Sequence, residues 1–383
     1  MESLILHSYF SLLSLLSAPP AVDTVWTLPN ELEEISGMAI GADGLLYAHS
    51  DSGNEPILYG LDSTGTIVRK VYFTNATNVD WEEMTTDEQG NFYIGDFGNN
   101  ANKRKNQVIY KLSAKEFYQS DTLTAEIIRI KFDDQNQYPP EEYQLNYDME
   151  AMIVRRGRIY LFSKNRTKPF SGFTRMHSMP AVPGNYSLTV KDSLFLGEGP
   201  KERDWVSGAA LSPDGRCLVL LGYDKMWVIQ DSWGSDWLGG HVSEIPFNSL
   251  SQREAATFVN DSILLISDEK NIMGGQQLYR MNLGEVRRVF AQQRRKEVSV
   301  AERVIEDNLT FSVETWTRGP IYYSLISSNG VTVTSGKIGV FDAGEHTIEI
   351  PVEDLIPGAY IFNIQVGHER HGFIMRKYGF KKE

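Results

Sequence analysis

One pattern occurs five times along the chain and restricts its fold more than any other feature. Each copy is a short strand, a tight turn with Gly or Asp, and a second strand that is apolar almost throughout. The copies begin at Ile35-Ser36-Gly37-Met38-Ala39, Trp81-Glu82-Glu83-Met84-Thr85, Asp148-Met149-Glu150-Ala151-Met152, Val206-Ser207-Gly208-Ala209-Ala210 and Arg253-Glu254-Ala255-Ala256. Anchored on Gly37, Glu83, Glu150, Gly208 and Glu254, they are spaced by 46, 67, 58 and 46 residues. The turns Asp43-Gly44, Gln89-Gly90, Arg156-Gly157, Asp214-Gly215 and Asn260-Asp261 lie where hairpins need them. Apolar second strands come next at 45–48, 92–95, 159–162, 217–220 and 263–266, as expected of strands covered on both faces. Third strands lie at 58–61, 108–111, 175–178, 226–229 and 278–281, and outer fourth strands at 67–73, 126–132, 187–196 and 241–245.

Units of this length, strand-periodic inside and without convincing helices, predict the blades of a β-propeller. The expected class is all-β: five blades, or six if the 112–147 stretch conceals a degenerate unit. The fifth unit lacks its own outer strand. Residues 24–28 can supply it, closing the ring and removing an open edge.

Composition excludes several functions. With 41% hydrophobic and 23% charged residues, the chain is neither a disordered tail nor a membrane protein. Fifty acidic residues against 37 basic ones give a formal charge of −13, the wrong sign for a nucleic-acid binder. No apolar run reaches the ~18 residues of a transmembrane helix. The single cysteine, Cys217, forms no internal disulfide and reads as a core residue. No Gly-x-Ser-x-Gly, His-Glu-x-x-His, Cys-x-x-Cys, Walker or Gly-x-Gly-x-x-Gly motif occurs.

Inner strands line a propeller's channel, and residues equidistant from a hairpin turn face each other. That rule pairs Glu83 with Asp96, Glu254 with Asp268, Gly37 with Asp51 and Glu150 with Lys164, all at one end of the channel. The expected rim is Asp51, Glu83, Asp96, Asn99, Glu150, Lys164, Glu254 and Asp268, with Asn54 and Asn100 close by. Carboxylates crowded around a narrow opening must protonate, pair with cations or bind a metal. One reading is a hard-cation site, with Glu83, Asp96, Glu150 and Glu254 holding a Ca²⁺-type ion. The other has the inner-strand glutamates accepting hydrogen bonds from neighbouring blades or pairing with Lys164 and Arg253. Trp227, Trp233 and Trp237 either offer a face for stacking on sugars or pack on one another; packing is the expected state. The polar stretch 133–147 is a candidate lid over the mouth.

After residue 281 the composition shifts. The segment 286–306, with Arg287, Arg288, Arg294, Arg295 and Lys296, reads as a solvated linker. From 307 to 383, short alternating strands at 309–313, 321–327, 331–336, 346–350, 359–366 and 373–377 predict a small β-sandwich.

This last domain resembles the C-terminal sorting domain of type IX (Por) secretion. The resemblance rests on Asn329-Gly330, Ala343-Gly344-Glu345-His346 before Ile348, Leu355-Ile356-Pro357-Gly358-Ala359-Tyr360, and the basic end Arg376-Lys377 to Lys381-Lys382. The usual Asn-Pro opening is replaced by Asp307-Asn308, and Glu383 follows the basic pair. It implies transit of the periplasm, contact with the type IX machinery through 307–383, and a secreted or outer-membrane-surface destination. It also implies a signal peptide, which fits 1–21: the apolar stretch 4–16, then Ser17-Ala18-Pro19-Pro20-Ala21.

Residues 22–285 resemble uncharacterised secreted propellers that carry such tails. The similarity lies in Asp80-Trp81-Glu82-Glu83-Met84, Tyr93 to Asn100, Asp148 to Met152 and Leu161-Phe162-Ser163-Lys164-Asn165. The first two pieces are also distantly similar to esterase-like phytase propellers. The closer resemblance implies architecture and destination, not chemistry; the expected carboxylate rim leaves two functions open, a propeller binding a ligand such as a carbohydrate or phosphate ester at its acidic mouth, or a metal-dependent hydrolase of phosphate or carboxylic esters.

Overall fold

The computed structural model describes residues 20–377 apart from 233, 273, 295–297, 301–302, 306, 316–317, 329 and 367–368. The chain is all-β, a propeller followed by a β-sandwich. Five sheets make up the propeller. Sheet one contains Ile35–Ile40, Leu46–Ser50, Ile57–Leu61 and Ile67–Phe73; sheet two contains Trp81–Thr86, Phe92–Asp96, Val108–Leu112 and Glu126–Phe132. Sheet three contains Met149–Arg155, Arg158–Ser163, Phe173–Pro180 and Val190–Phe195. Sheet four contains Gly208–Leu211, Cys217–Leu221, Lys225–Gln230 and His241–Pro246. Sheet five contains Arg253–Phe258, Ile263–Asp268 and Gln277–Asn282, and Val22–Thr27 from the start of the chain pairs antiparallel with its outer side.

The first strand of each sheet is innermost. Each packs beside the inner strands of the sheets before and after it, and the fifth packs beside the first, so the ring closes. Apolar side chains fill the spaces between sheets. Tyr47, Leu58 and Val71 meet Trp81, Met84 and Phe92; Phe97, Ile109 and Ile128 meet Met152, Ile159 and Leu161. This two-sided cover is why the second strands are apolar on both faces. Cys217 opens a strand whose five residues are all buried.

Residues 112–147 form no sheet of their own. Thr122–Leu123 adds a parallel strand to sheet one, and Glu126–Phe132 belongs to sheet two. The expected outer strand 187–196 is divided. Its second part, Val190–Phe195, stays in sheet three, while Gly184–Leu188 lies parallel on Glu126–Phe132 of sheet two. Sheets one and two are thus edged by a strand reaching back from the next unit, which covers the open side of the ladder.

Two compact units are distinguishable, one running to Val228 and including Val242–Val286, the other comprising Ile229–His241 and Arg287 onward. In the second, two sheets face each other. One has three strands, Val298–Ser299, Asn308–Thr315 and Gly344–Pro351. The other has five, Val304–Ile305, Glu369–Lys377, Gly358–Val366, Gly319–Ser327 and Thr332–Phe341. Leu309, Phe311, Ile321, Leu325, Phe362, Ile364 and Met375 fill the core, with Phe311 edge-on to Phe362 at 5.3 Å. Alternation along Asn308–Thr315, exposed then buried, matches a sandwich strand.

The linker expectation is corrected. Gly284–Arg294 is an α-helix with Val286, Val289 and Phe290 buried, and Val298–Ser299 and Val304–Ile305 join the two sandwich sheets. The arginines in this run hide a short apolar stripe of helical spacing. Most of the expected signal peptide, 1–19, lies outside the described residues, as do Asn329, Lys381 and Lys382. Trp227 and Trp237 are both buried, and Trp233 lies outside the described residues.

Candidate ligand site at the channel mouth

An irregularity in the inner strands decides which side chains meet. In sheet two, Trp81 pairs with Asp96 and Glu83 with Gly95, leaving Glu82 as an extra residue. In sheet three, Met149 pairs with Ser163 and Ala151 with Phe162, leaving Glu150; in sheet five, Arg253 pairs with Asp268 and Ala255 with Ser267, leaving Glu254. Sheet one repeats this at Ser36. Each is a β-bulge, which re-aims one side chain and shifts the register of the strand beyond it by a residue. Counting outward from the turns passes over the bulge. The equivalent residues are therefore Glu82, Glu150 and Glu254, whereas Glu83 corresponds to Gly37, Ala151 and Ala255, and by pairing to Gly208.

Glu83 does not sit at the rim. It is completely buried, the one large residue among small equivalents. Its Oε2 accepts the Ala209 N–H at 2.7 Å and its Oε1 accepts the Met84 N–H at 3.0 Å; the Met152 amide is a third donor. Ala209 lies on the inner strand of sheet four, which is not a ring neighbour of sheet two, so the carboxylate crosses the hub. Burial pushes its pKa well above the usual range, opposed by those three amides.

Asp96 and Asp268 face into their own sheets. Asp96 pairs with Arg104 at 2.7 Å and accepts the Asp80 N–H. Asp268 accepts from Tyr279 Oη at 2.9 Å and Gln277 N at 2.9 Å. Asn99 is a loop organiser: its N–H donates to Asp148 Oδ1 at 2.6 Å, and its Oδ1 accepts the amides of Lys103 and Arg104. The expected metal set Glu83, Asp96, Glu150 and Glu254 therefore does not converge.

What does assemble is a different ring. Glu150 pairs with Lys164 at 3.2 Å and Arg166 at 3.3 Å; Glu254 lies 3.9 Å from Lys164 and accepts from Tyr223 Oη at 2.6 Å. Arg166 also pairs with buried Asp148 at 2.6 Å and donates to Asn100. Lys164, 4% exposed, lies over the Trp205 and Tyr223 rings at 5.0 and 5.4 Å. Asp51, Asp80, Glu82 and Glu269 complete the group, each acting electrostatically on other members.

Seven carboxyl groups thus gather around Lys164 and Arg166, with Arg104 acting on Asp80 from its pairing with Asp96. Their titration reflects this. Burial raises Asp51 and Asp148 to about 6 and Glu269 to about 9. Glu82 is driven well up by burial and by Glu150, Asp51, Asp80 and Asp148, with no cation among its largest influences. Burial works against the Lys164 ammonium, but Glu150, Glu254 and Tyr223 outweigh it and hold its pKa high. Glu150 is nevertheless raised, because burial and Glu254 exceed the pull of Lys164 and Arg166.

Of the expected rim, the structure unites Asp51, Glu150, Lys164 and Glu254. Counting from the turns misses Glu82, Asp80, Asp148, Arg166, Tyr223, Trp205 and Glu269. One signal is present in the sequence: Asp80-Trp81-Glu82 and Asp148-Met149-Glu150 share an Asp-x-Glu pattern at corresponding positions. The stretch 133–147 packs on nearby loops, with the Tyr147 amide donating to Asn102 Oδ1 at 2.7 Å and Arg166 N to Leu145 O at 3.0 Å.

No family model matches the chain, and no curated protein matches it. Solved structures show weak likenesses. A PQQ-bound aldose sugar dehydrogenase from Streptomyces coelicolor is 11% identical over 69% of this chain and 99% of that one, with a TM-score of 0.39. PorZ, a surface component of the type IX secretion system of Porphyromonas gingivalis, is 8% identical over 90% of this chain and 45% of its own, with a TM-score of 0.35. A quinoprotein alcohol dehydrogenase-like protein from Bacteroides thetaiotaomicron is 11% identical over 83% of this chain and 69% of its own, with a TM-score of 0.32. Scores this low carry nothing about what this chain binds or does. No helix among the described residues is long and apolar enough to cross a membrane.

Proposed function

We propose that the protein is an exported, cell-surface or secreted propeller that binds a positively charged ligand at the acidic mouth of its channel. The supporting observation is the crowding of the mouth: seven carboxyl groups, four of them on buried residues, gather around Lys164 and Arg166, with Arg104 beside Asp80, and the pKa of every one of the seven is raised. Partly buried like charges at an opening raise the local concentration of counter-ions and reward a ligand that neutralises them. The hydrolase reading loses the ligand set it required, since Glu83 is spent on backbone amides and Asp96 on Arg104. Delivery by type IX secretion through 307–383 is supported by the sequence resemblance of that sandwich.

The test is a thermal-melt and calorimetric screen of the chelator-treated full chain at low salt, with Ca²⁺, Mg²⁺, spermidine and arginine. At least one should raise the melting temperature, and the gain should shrink in Glu254→Gln. If none binds, the reading fails. For delivery, a chain lacking 307–383 should remain in the periplasm of a type IX-competent host; arrival at the surface without that tail would contradict the route.

A further inference from the structure

Two of the bulges meet across the junction between neighbouring sheets. Glu82, at the bulge of the sheet-two inner strand, and Glu150, at the bulge of the sheet-three inner strand, are both buried, and their carboxyl groups are hydrogen-bonded to each other. An ionised carboxylate only accepts, so a bond between two carboxyls needs a proton on one of them. We infer that Glu82 and Glu150 form a proton-held latch between sheets two and three, closed while they share one proton and released when that proton leaves. This goes beyond the reading above and needs no ligand.

The surrounding charges assign the proton to Glu82. Glu150 has Lys164 at 3.2 Å and Arg166 at 3.3 Å, which favour its ionised form. Asp51 and Asp80 each bring an oxygen to within 4.8 Å of one on Glu82, and Asp148 and Glu150 add to the repulsion. Arg104 acts on Asp80 but is bonded to Asp96 at 2.7 Å. Lys164 is shared with Glu254, which Tyr223 also bonds, and Glu269 adds another carboxyl beside Glu254 and Asp51. His49, on the second strand of sheet one and edge-on to Trp81, has its pKa lowered by burial to about 4, so above that pH it supplies no counter-charge.

The site leaves an ionised Glu82 little room. A Cβ at Gly98 would collide with Glu82 Oε1, so the carboxyl cannot turn away into that loop. Set against four other carboxyl groups, it gains water only if the inner strands Trp81–Thr86 and Met149–Arg155 part at their mouth ends. Half-buried Asp51 and Asp80 mark the side from which water enters. A proton held more tightly in the folded chain stabilises fully below the unfolded value near 4.5, and that stabilisation is lost as pH rises through the folded value, which burial and the neighbouring carboxyls place well above it. The latch is therefore shut in acid and loosened in alkali.

The test is amide hydrogen exchange of the full chain, corrected for the intrinsic rate, over Trp81–Thr86 and Met149–Arg155, with buried Cys217–Leu221 as reference. Between about pH 5 and about pH 9, the two inner strands of wild type should lose protection by about tenfold or more, the effect of one pK unit, and the reference strand should lose less. Glu82→Gln carries an N–H donor that no pH removes, so its inner strands should stay protected throughout. Asp51→Asn removes one opposing charge at a half-buried strand end and should shrink the loss; should Glu82→Gln not fold, this variant decides by itself. Protection in wild type that does not change with pH, or a loss as large in the variants as in wild type, would overturn the latch.

Discussion

Replacing Glu83 probes the hub directly. In Glu83→Ala, the Ala209, Met84 and Met152 amides lose their acceptor, the first two reaching it at 2.7 and 3.0 Å, in a fully buried place. Orphaning a buried donor costs about 1–3 kcal/mol, so three cost about 3–9 kcal/mol. Removing a buried carboxylate, and its repulsion by Glu254, returns part of that. The net expectation is a loss of about 2–5 kcal/mol. For a unit of this size, 1 kcal/mol moves the melting temperature by about 2–4 °C, so the first unit should melt about 4–20 °C lower. Glu83→Gln keeps one acceptor but sets an NH₂ against the second amide, and should fall between the two. Differential scanning calorimetry of the full chain, with the sandwich transition as internal reference, reads all three. An alanine variant as stable as wild type, or more so, would show that charge burial outweighs the amide bonds and would refute the hub assignment.

Three further outcomes are expected. Lys164→Met strands Glu150 and Glu254 beside each other without their shared ammonium, and should cost about 3–5 kcal/mol by chemical denaturation; an unchanged midpoint would contradict the ion-pair arrangement. Gly208→Ala puts a Cβ 2.7 Å from Glu254 O, a backbone atom that cannot step aside, and should lower stability by about 1–3 kcal/mol; a stabilised variant would count against the tight approach of sheets four and five. His177 is buried edge-on to Phe132, and burial lowers its pKa to about 4. The folded state therefore binds fewer protons than the unfolded one, so this contribution is intact above the unfolded pKa near 6.5 and is lost as pH falls from there to about 4, by about 3 kcal/mol. His177→Phe should remove that part of the acid sensitivity; identical pH profiles for wild type and variant would disprove it.

Strand positions are legible because they depend on local pattern. The turns at Asp43-Gly44 and Asp214-Gly215, the apolar second strands and the N-terminal strand that completes sheet five all arise from alternation and turn chemistry. The helix Gly284–Arg294 is not legible, because five basic residues between 287 and 296 mask the burial of Val286, Val289 and Phe290.

The sequence by itself determined the repeating strand architecture and the presence of acids near the ends of inner strands. Tertiary structure alone decided which acids meet. A strand has a period of two, so a single bulged residue exchanges the channel-facing set for its neighbour. That shift sent Glu83 across the hub and brought Glu82, Glu150 and Glu254 together, while Asp96 and Asp268, on the second strands, bond to Arg104 and Tyr279. Local patterning does not locate the bulge, because the extra residue has no turn dipeptide or break in polarity to mark it and shows only in how the inner strand pairs with its neighbour.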